Sequence, residues 1–145
     1  MPRRIWTTFF EKTEGGRLIS SHPNETNDCA VKALVNALKM PYDEAHSRLK
    51  EHGRKDRHGT RFFKHFLQTK LRDYDIEVID FNITLFQFMK NKPIGTYIIG
   101  RRDHTFCIEG GIIKDTFLKG MKSKITFFAK IKGKKLTNPP EVTTL

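Results

Sequence analysis

The apolar positions of this 145-residue chain change their period twice. Over residues 30–40 nearly every position is apolar except Lys32, Asn36 and Lys39, which predicts a mostly buried helix. Pro41 ends it, and Asn27 or Asp28 is well placed to cap its start. A second, exposed helix is predicted over 43–52, closed by Gly53 and followed by the charged loop 54–59. A third begins at Thr60 or Arg61 and reaches Leu71, with Phe62, Phe63, Phe66 and Leu67 on its apolar face. Beyond it the runs shorten. Residues 95–99, 104–108, 112–115 and 125–131 read as strands, with Gly110-Gly111 as a tight hairpin turn between two of them. An aromatic strand over 3–10, a short strand over 76–79 and a short helix over 83–89 complete the pattern.

Helices first and strands afterwards argue an α+β fold, with N-terminal helices led by the Cys29 helix packed on a C-terminal antiparallel β-sheet. One domain is expected over residues 1–136, with a loose tail at 137–145 that begins near Pro139-Pro140. Apolar residues make up 37% of the chain and include twelve Phe, enough to anchor a core without metal or disulfide staples.

Two features of the composition narrow the function classes. There are only two cysteines, Cys29 and Cys107, too few for the disulfide framework of a small secreted domain. The basic start of the chain is not followed by an apolar run, and no stretch approaches the length of a membrane span. The expectation is a cytoplasmic protein with reduced thiols. The formal net charge is +11, and the sequence pI is about 9.8. That balance favours acidic partners.

Cys29 stands where a polar loop meets the buried helix. The first amides of a helix lack intrahelical partners, and the helix dipole adds partial positive charge there; both favour the thiolate. The same amides can hold an oxyanion during acyl transfer. The alternative is a buried structural cysteine, which is the reading given to Cys107 in the middle of its strand. A nucleophile needs a base within hydrogen-bond reach. Of the six histidines, His46, His52, His58 and His65 fall in charged helical surroundings and read as solvated surface residues. His22 lies in the loop before Cys29. His104 opens an apolar strand after the polar turn 100–103, so a sheet can fix its imidazole. Asp115 lies at the open end of the Gly110-Gly111 hairpin, beside His104, where its carboxylate can orient the ring or simply form a strand-end turn.

The segments Asn27-Asp28-Cys29-Ala30-Val31-Lys32-Ala33-Leu34, Gly95-Thr96-Tyr97-Ile98-Ile99, His104-Thr105-Phe106-Cys107-Ile108 and Ile112-Ile113-Lys114-Asp115-Thr116 together resemble the papain-like cysteine peptidase superfamily. The likeness is to its small phage- or plasmid-encoded members and to bacteriocin-processing peptidases. It implies a papain-like fold and a cysteine peptidase or amide/isopeptide hydrolase working through a thioester. Cys29 would be the nucleophile, His104 the base and Asp115 its orienting group, with no cofactor and no metal. A phage origin would make the compartment the host cytoplasm. Such enzymes commonly carry a Gln upstream of the cysteine for the oxyanion hole; here Asn24 or Asn27 would take its place.

Two other readings stay open. The mechanism equally serves a thiol acyltransferase, in which an amine replaces water. A nucleic-acid or polyanion-binding module would use the basic surface of Arg101, Arg102, Lys130, Lys132, Lys134 and Lys135, with Phe127 and Phe128 for stacking. Those aromatics can equally face the core. The hydrolase reading implies a protein or peptide substrate, of acidic character if the cleft is rimmed by Arg101 and Arg102.

Overall fold

A computed structural model describes residues 10–60, 62–91, 93–102, 104–116 and 124–134. Among them four helices pack on a six-stranded mixed sheet. The chain runs β1 (Phe10–Lys12), a single 3-10 turn (Arg17–Ile19), α1 (Cys29–Leu38), α2 (Tyr42–Glu51), α3 (Phe63–Thr69), β2 (Tyr74–Thr84), α4 (Leu85–Lys90), β3 (Thr96–Arg101), β4 (His104–Glu109), β5 (Ile112–Asp115) and β6 (Lys124–Lys134). The sheet order is β1-β5-β4-β3-β6-β2.

The central strands are apolar on both faces. Ile98, Cys107, Phe127 and Ala129 point to one side, where α1, α2 and α3 cover them. Ile99, Phe106, Ile108 and Ile113 alternate to the other side, where Leu85, Phe88 and Met89 of α4 cover them. Helix α1 lies chiefly across β4 and β3. Its contact face carries Ala30, Ala33, Leu34, Ala37 and Leu38, all buried, and the small alanines let the helix sit close to the strands. The β4–β5 hairpin follows from its turn: Gly110 (φ 57°) and Gly111 (φ 80°) supply the two consecutive positive φ values that a two-residue turn of the right twist requires. Helix α4 starts with a capping box, the Thr84 hydroxyl taking the Gln87 amide while the Gln87 side chain takes the Thr84 amide.

Several expectations need correction. The sheet is mixed rather than purely antiparallel, because β1 runs parallel to β5. Helix α4 sits on the face opposite the other three. The strand expected over 76–79 is eleven residues long and pairs with β6, with register shifts on both sides of its middle. Helix α3 starts later than expected, since Phe62 has a left-handed backbone (φ 57°) that no α-helix can contain. The expected strand over 3–10 lies outside the described residues except for Phe10, and the expected tail lies wholly outside them. No helix among the described residues is long and apolar enough to cross a membrane.

Gly100 is a point of close approach. A Cβ there would fall 2.0 Å from Cε1 of Phe127 on β6. The ring of Phe127 is buried, and its Cδ1 and Cζ would lie 2.4 and 2.5 Å from the same Cβ, so the whole ring would have to shift. Gly100→Ala is therefore expected to cost about 1–3 kcal/mol through overpacking, read as a lower midpoint in urea unfolding with an unchanged slope.

Candidate active site

Cys29 is the first residue of α1 and is half-buried. The first intrahelical hydrogen bond runs from Lys32 N–H to the Asp28 carbonyl (3.0 Å), and no side chain caps the helix. The amides ahead of Lys32 thus have neither an intrahelical acceptor nor a side-chain cap. The capping expected of Asn27 or Asp28 is absent for a physical reason. Asp28 stands at the N-cap, but its carboxylate accepts from the Tyr42 hydroxyl (2.7 Å) and faces Lys32 (3.4 Å) and Arg17 (3.6 Å). Those cations also offset the negative charge next to the cysteine.

His104 opens β4 and pairs in register with Arg101. Its Nε2 lies 2.6 Å from Oδ2 of Asp115, the last residue of β5. That leaves Nδ1 for the sulfur of Cys29. Asp115 is itself held: its Oδ1 accepts the Thr116 amide (2.7 Å), and its carbonyl accepts the Thr13 amide (2.9 Å). Lys32 of α1 donates to the Thr116 hydroxyl, which ties the Cys29 helix to the strand end that carries Asp115. The sequence-predicted Cys29, His104 and Asp115 thus come together at one edge of the α1–β4 interface.

Their ionisation is coupled. Burial pushes the Cys29 thiol up, but hydrogen bonds from His104 and Thr105 and the charge of His104 outweigh it, and the thiol lies below its usual value. Burial likewise disfavours the His104 imidazolium, yet Asp115 and the Cys29 sulfur raise it to about 9. Each shift favours the charged form, thiolate for Cys29 and imidazolium for His104. Cys107 is the contrast. It is fully buried beneath α1, and burial pushes its thiol up to about 12.

The cysteine opens into a cavity of about 710 Å³ whose walls include His58, Thr60, Phe62, Arg101, Arg102 and Phe127. Asn24 and Asn27 do not line it. Asn24 faces a separate concavity between the loop 21–25 and Asp56-Arg57. Asn27 has a left-handed backbone (φ 50°) and donates its side-chain amide to the Arg57 carbonyl (3.1 Å). The residues assigned to a basic surface divide as well. Arg101 and Arg102 line the cavity, whereas Lys130, Lys132 and Lys134 are exposed along β6 and Lys135 lies outside the described residues. Phe127 is buried in one core and borders the Cys29 cavity, and Phe128 packs half-buried against the other.

Sequence reasoning missed the anchor of the loop before Cys29. Glu25 is buried, and its Oε2 meets Nε2 of His46 (2.7 Å) and Nη1 of Arg54 (3.1 Å). Its Oε1 takes the amides of Thr26 and Arg57. Burial would raise this carboxyl, but Arg54 and His46 hold it down at about 2. His46 was expected at the surface and is instead 2% exposed. The available signal was its place on α2, in line with buried Tyr42 and Leu49 at helical spacing. His22, Glu25 and His46 are the one grouping among the described residues close enough to share a metal ion. The two rings stack at 3.7 Å and 14°, so their in-plane lone pairs run side by side rather than converging, and Glu25 is already bound to Arg54. The cluster is better suited to fastening a loop than to ligating a cation.

No family model matches the chain, no curated protein matches it in sequence, and no solved structure matches it in fold.

Glu25→Gln would leave Arg54 buried without its counter-charge and is expected to cost about 3 kcal/mol or more in urea unfolding. The pH dependence gives a second readout. A carboxyl depressed from 4.5 to about 2 contributes stability above its ordinary value, and that stability is lost as pH falls toward about 2. The wild-type protein should lose stability across that window, and the variant should lose less.

Proposed function

We propose that this protein is a papain-like cysteine hydrolase that cleaves amide or isopeptide bonds in proteins or peptides. The observation that carries the reading is the continuous line Cys29–His104–Asp115, with the thiol lowered, the imidazole raised, and the Asp115 bond at 2.6 Å fixing the ring. The order of helix-head cysteine, strand-opening histidine and carboxylate across one hairpin supports the papain-like assignment.

In this mechanism the Cys29 thiolate attacks the substrate carbonyl carbon. The carbonyl π electrons move to oxygen, and that oxyanion is stabilised by the Cys29 backbone amide at the uncapped helix start. The imidazolium of His104 gives its proton to the departing amine as the C–N bond breaks, which leaves a thioester. His104, now neutral, takes a proton from water. The resulting hydroxide attacks the thioester, the C–S bond breaks to restore the thiolate, and the carboxylic acid product gives its proton to solvent while the proton taken from water stays on His104. Asp115 holds the ring's orientation and stabilises its charged form throughout. Asn24 and Asn27 are given no step, since neither reaches the cavity. An amine in place of water at the second stage would make the same site an acyltransferase.

The test is the pH profile of iodoacetamide alkylation, with Cys29 followed separately from Cys107 by mass spectrometry. Cys29 should reach half its maximal rate below pH 9.0, the ordinary cysteine value, while Cys107 stays unreactive. In His104→Ala the midpoint should rise well above that of the wild type, because only the Thr105 hydrogen bonds then oppose burial. Asp115→Asn should shift it part of the way. In the same variant, an NMR titration of His104 should give a pKa well below the wild-type value of about 9. A Cys29 that is inert, or indifferent to His104, would sink the proposal.

A further inference from the structure

The walls of the cavity around Cys29 carry three features that catalysis by the triad leaves unexplained. The first is Phe62. Its side chain is 78% exposed, and its backbone is left-handed at φ 57°, ψ 39°. Such a conformation costs a bulky residue free energy, and glycine would adopt it without strain. A strained, solvent-facing aromatic ring beside a reactive thiol gains nothing for folding that glycine would not supply more cheaply. The second is the Thr60 hydroxyl. Its oxygen is inaccessible to solvent, yet it has no hydrogen-bond partner among the described residues. A buried hydroxyl left unsatisfied is costly, and a bound ligand would relieve it.

The third is the sign of the rim. Arg101 and Arg102 form the mouth at the β3–β4 turn, and His58 stands on the wall as well. One carboxylate, Asp80, also lines the cavity, but Lys64 engages it at 2.6 Å. Arg102 is exposed and makes no ion pair among the described residues. The wall is therefore apolar at Phe62 and Phe127, cationic at the Arg101–Arg102 turn, and carries an unsatisfied hydroxyl at Thr60.

We infer that the cleft selects peptide segments in which a large apolar, preferably aromatic, side chain lies next to an acidic residue. The apolar group packs on Phe62, the carboxylate sits on Arg102, and the Thr60 hydroxyl, once the wall parts to expose it, bonds the substrate's backbone. This inference rests on the hydrolase reading and names its substrate class.

Peptide vinyl sulfones test it without presuming which subsite each residue fills. The Cys29 thiolate adds to the alkene carbon β to the sulfone, the carbon α to the sulfone takes the proton from His104, and the rate of Cys29 labelling is read by mass spectrometry. Probes carrying Phe-Glu and Glu-Phe are compared with Phe-Lys, Lys-Phe, Ala-Glu and Glu-Ala. Each rate is divided by the same protein's iodoacetamide rate. The better acidic-aromatic probe should outpace its lysine counterpart by about tenfold at low salt, and the ratio should shrink as salt screens the rim. Arg102→Glu should reverse that preference. Phe62→Gly should abolish the preference for Phe over Ala while leaving the urea midpoint equal or higher, since glycine suits the left-handed backbone. Equal rates for the acidic and basic probes, on a protein whose Cys29 alkylation shows the expected pH shift, would overturn the inference and leave the hydrolase reading standing. A Cys29 inert to iodoacetamide would remove both.

Discussion

The seating of α1 on β4 is the constraint on which the rest of the structure depends. Ala30, Ala33 and Ala37 bring the helix close, and Val31 and Leu34 are fully excluded from water. That contact is apolar and has no chemical role of its own. It nevertheless fixes where the first residue of the helix must stand, and that residue is Cys29. The partner strand opens with His104, so the packing decision places the thiol against the imidazole. Lys32, one turn into the helix, reaches the Thr116 hydroxyl and ties the third member of the line to the same contact.

Around this apolar seat the protein spends its buried polar groups on geometry. Glu25, His46 and Arg54 fasten the loop that delivers Cys29, and Asp28 is turned away from the helix end toward Tyr42, Lys32 and Arg17. The second arrangement has an electrostatic consequence. A carboxylate capping the helix would have occupied the amides that an oxyanion needs and would have opposed the thiolate through its charge. Moving it onto a tyrosine and two cations leaves the amides uncapped and offsets its field. The loss of a conventional cap is thus of a piece with the role proposed for Cys29.

How much of this was legible in the chain depended on whether the signal was local. The Cys29 helix was legible because a nearly unbroken apolar run has one structural solution at that length. The His104–Asp115 proximity was legible because Gly110-Gly111 fixes a two-residue turn, and a hairpin register then follows by counting. The parallel pairing of β1 with β5 was not legible, since it joins segments about a hundred residues apart and no local period encodes it. The Glu25 cluster was hidden for a related reason. Glu25, His46 and Arg54 each look like surface residues in their own segments, and only the fold makes them mutual partners. Asn24 and Asn27 were misplaced because a loop's composition says that it turns but not which way its side chains point; a left-handed backbone at Asn27 sends its amide to Arg57.

The exposed Phe62 extends the same argument to the cleft. Elsewhere among the described residues positive φ falls on glycines, as at Gly110 and Gly111, or on the polar Asn27, Lys39 and Arg57, and the chain removes a Cβ outright where Phe127 approaches Gly100. At position 62 it does the reverse and places a large ring on a backbone that disfavours it. Local rules are consistent through most of a foldable sequence, and their violations concentrate where function asks for something that folding does not. The violation at Phe62 lies on the wall of the cavity that holds the only half-exposed thiol among the described residues. A folding account has no use for the ring there. The aromatic substrate proposed for the cleft, stacked against the ring with its carbonyl at Cys29, would supply one.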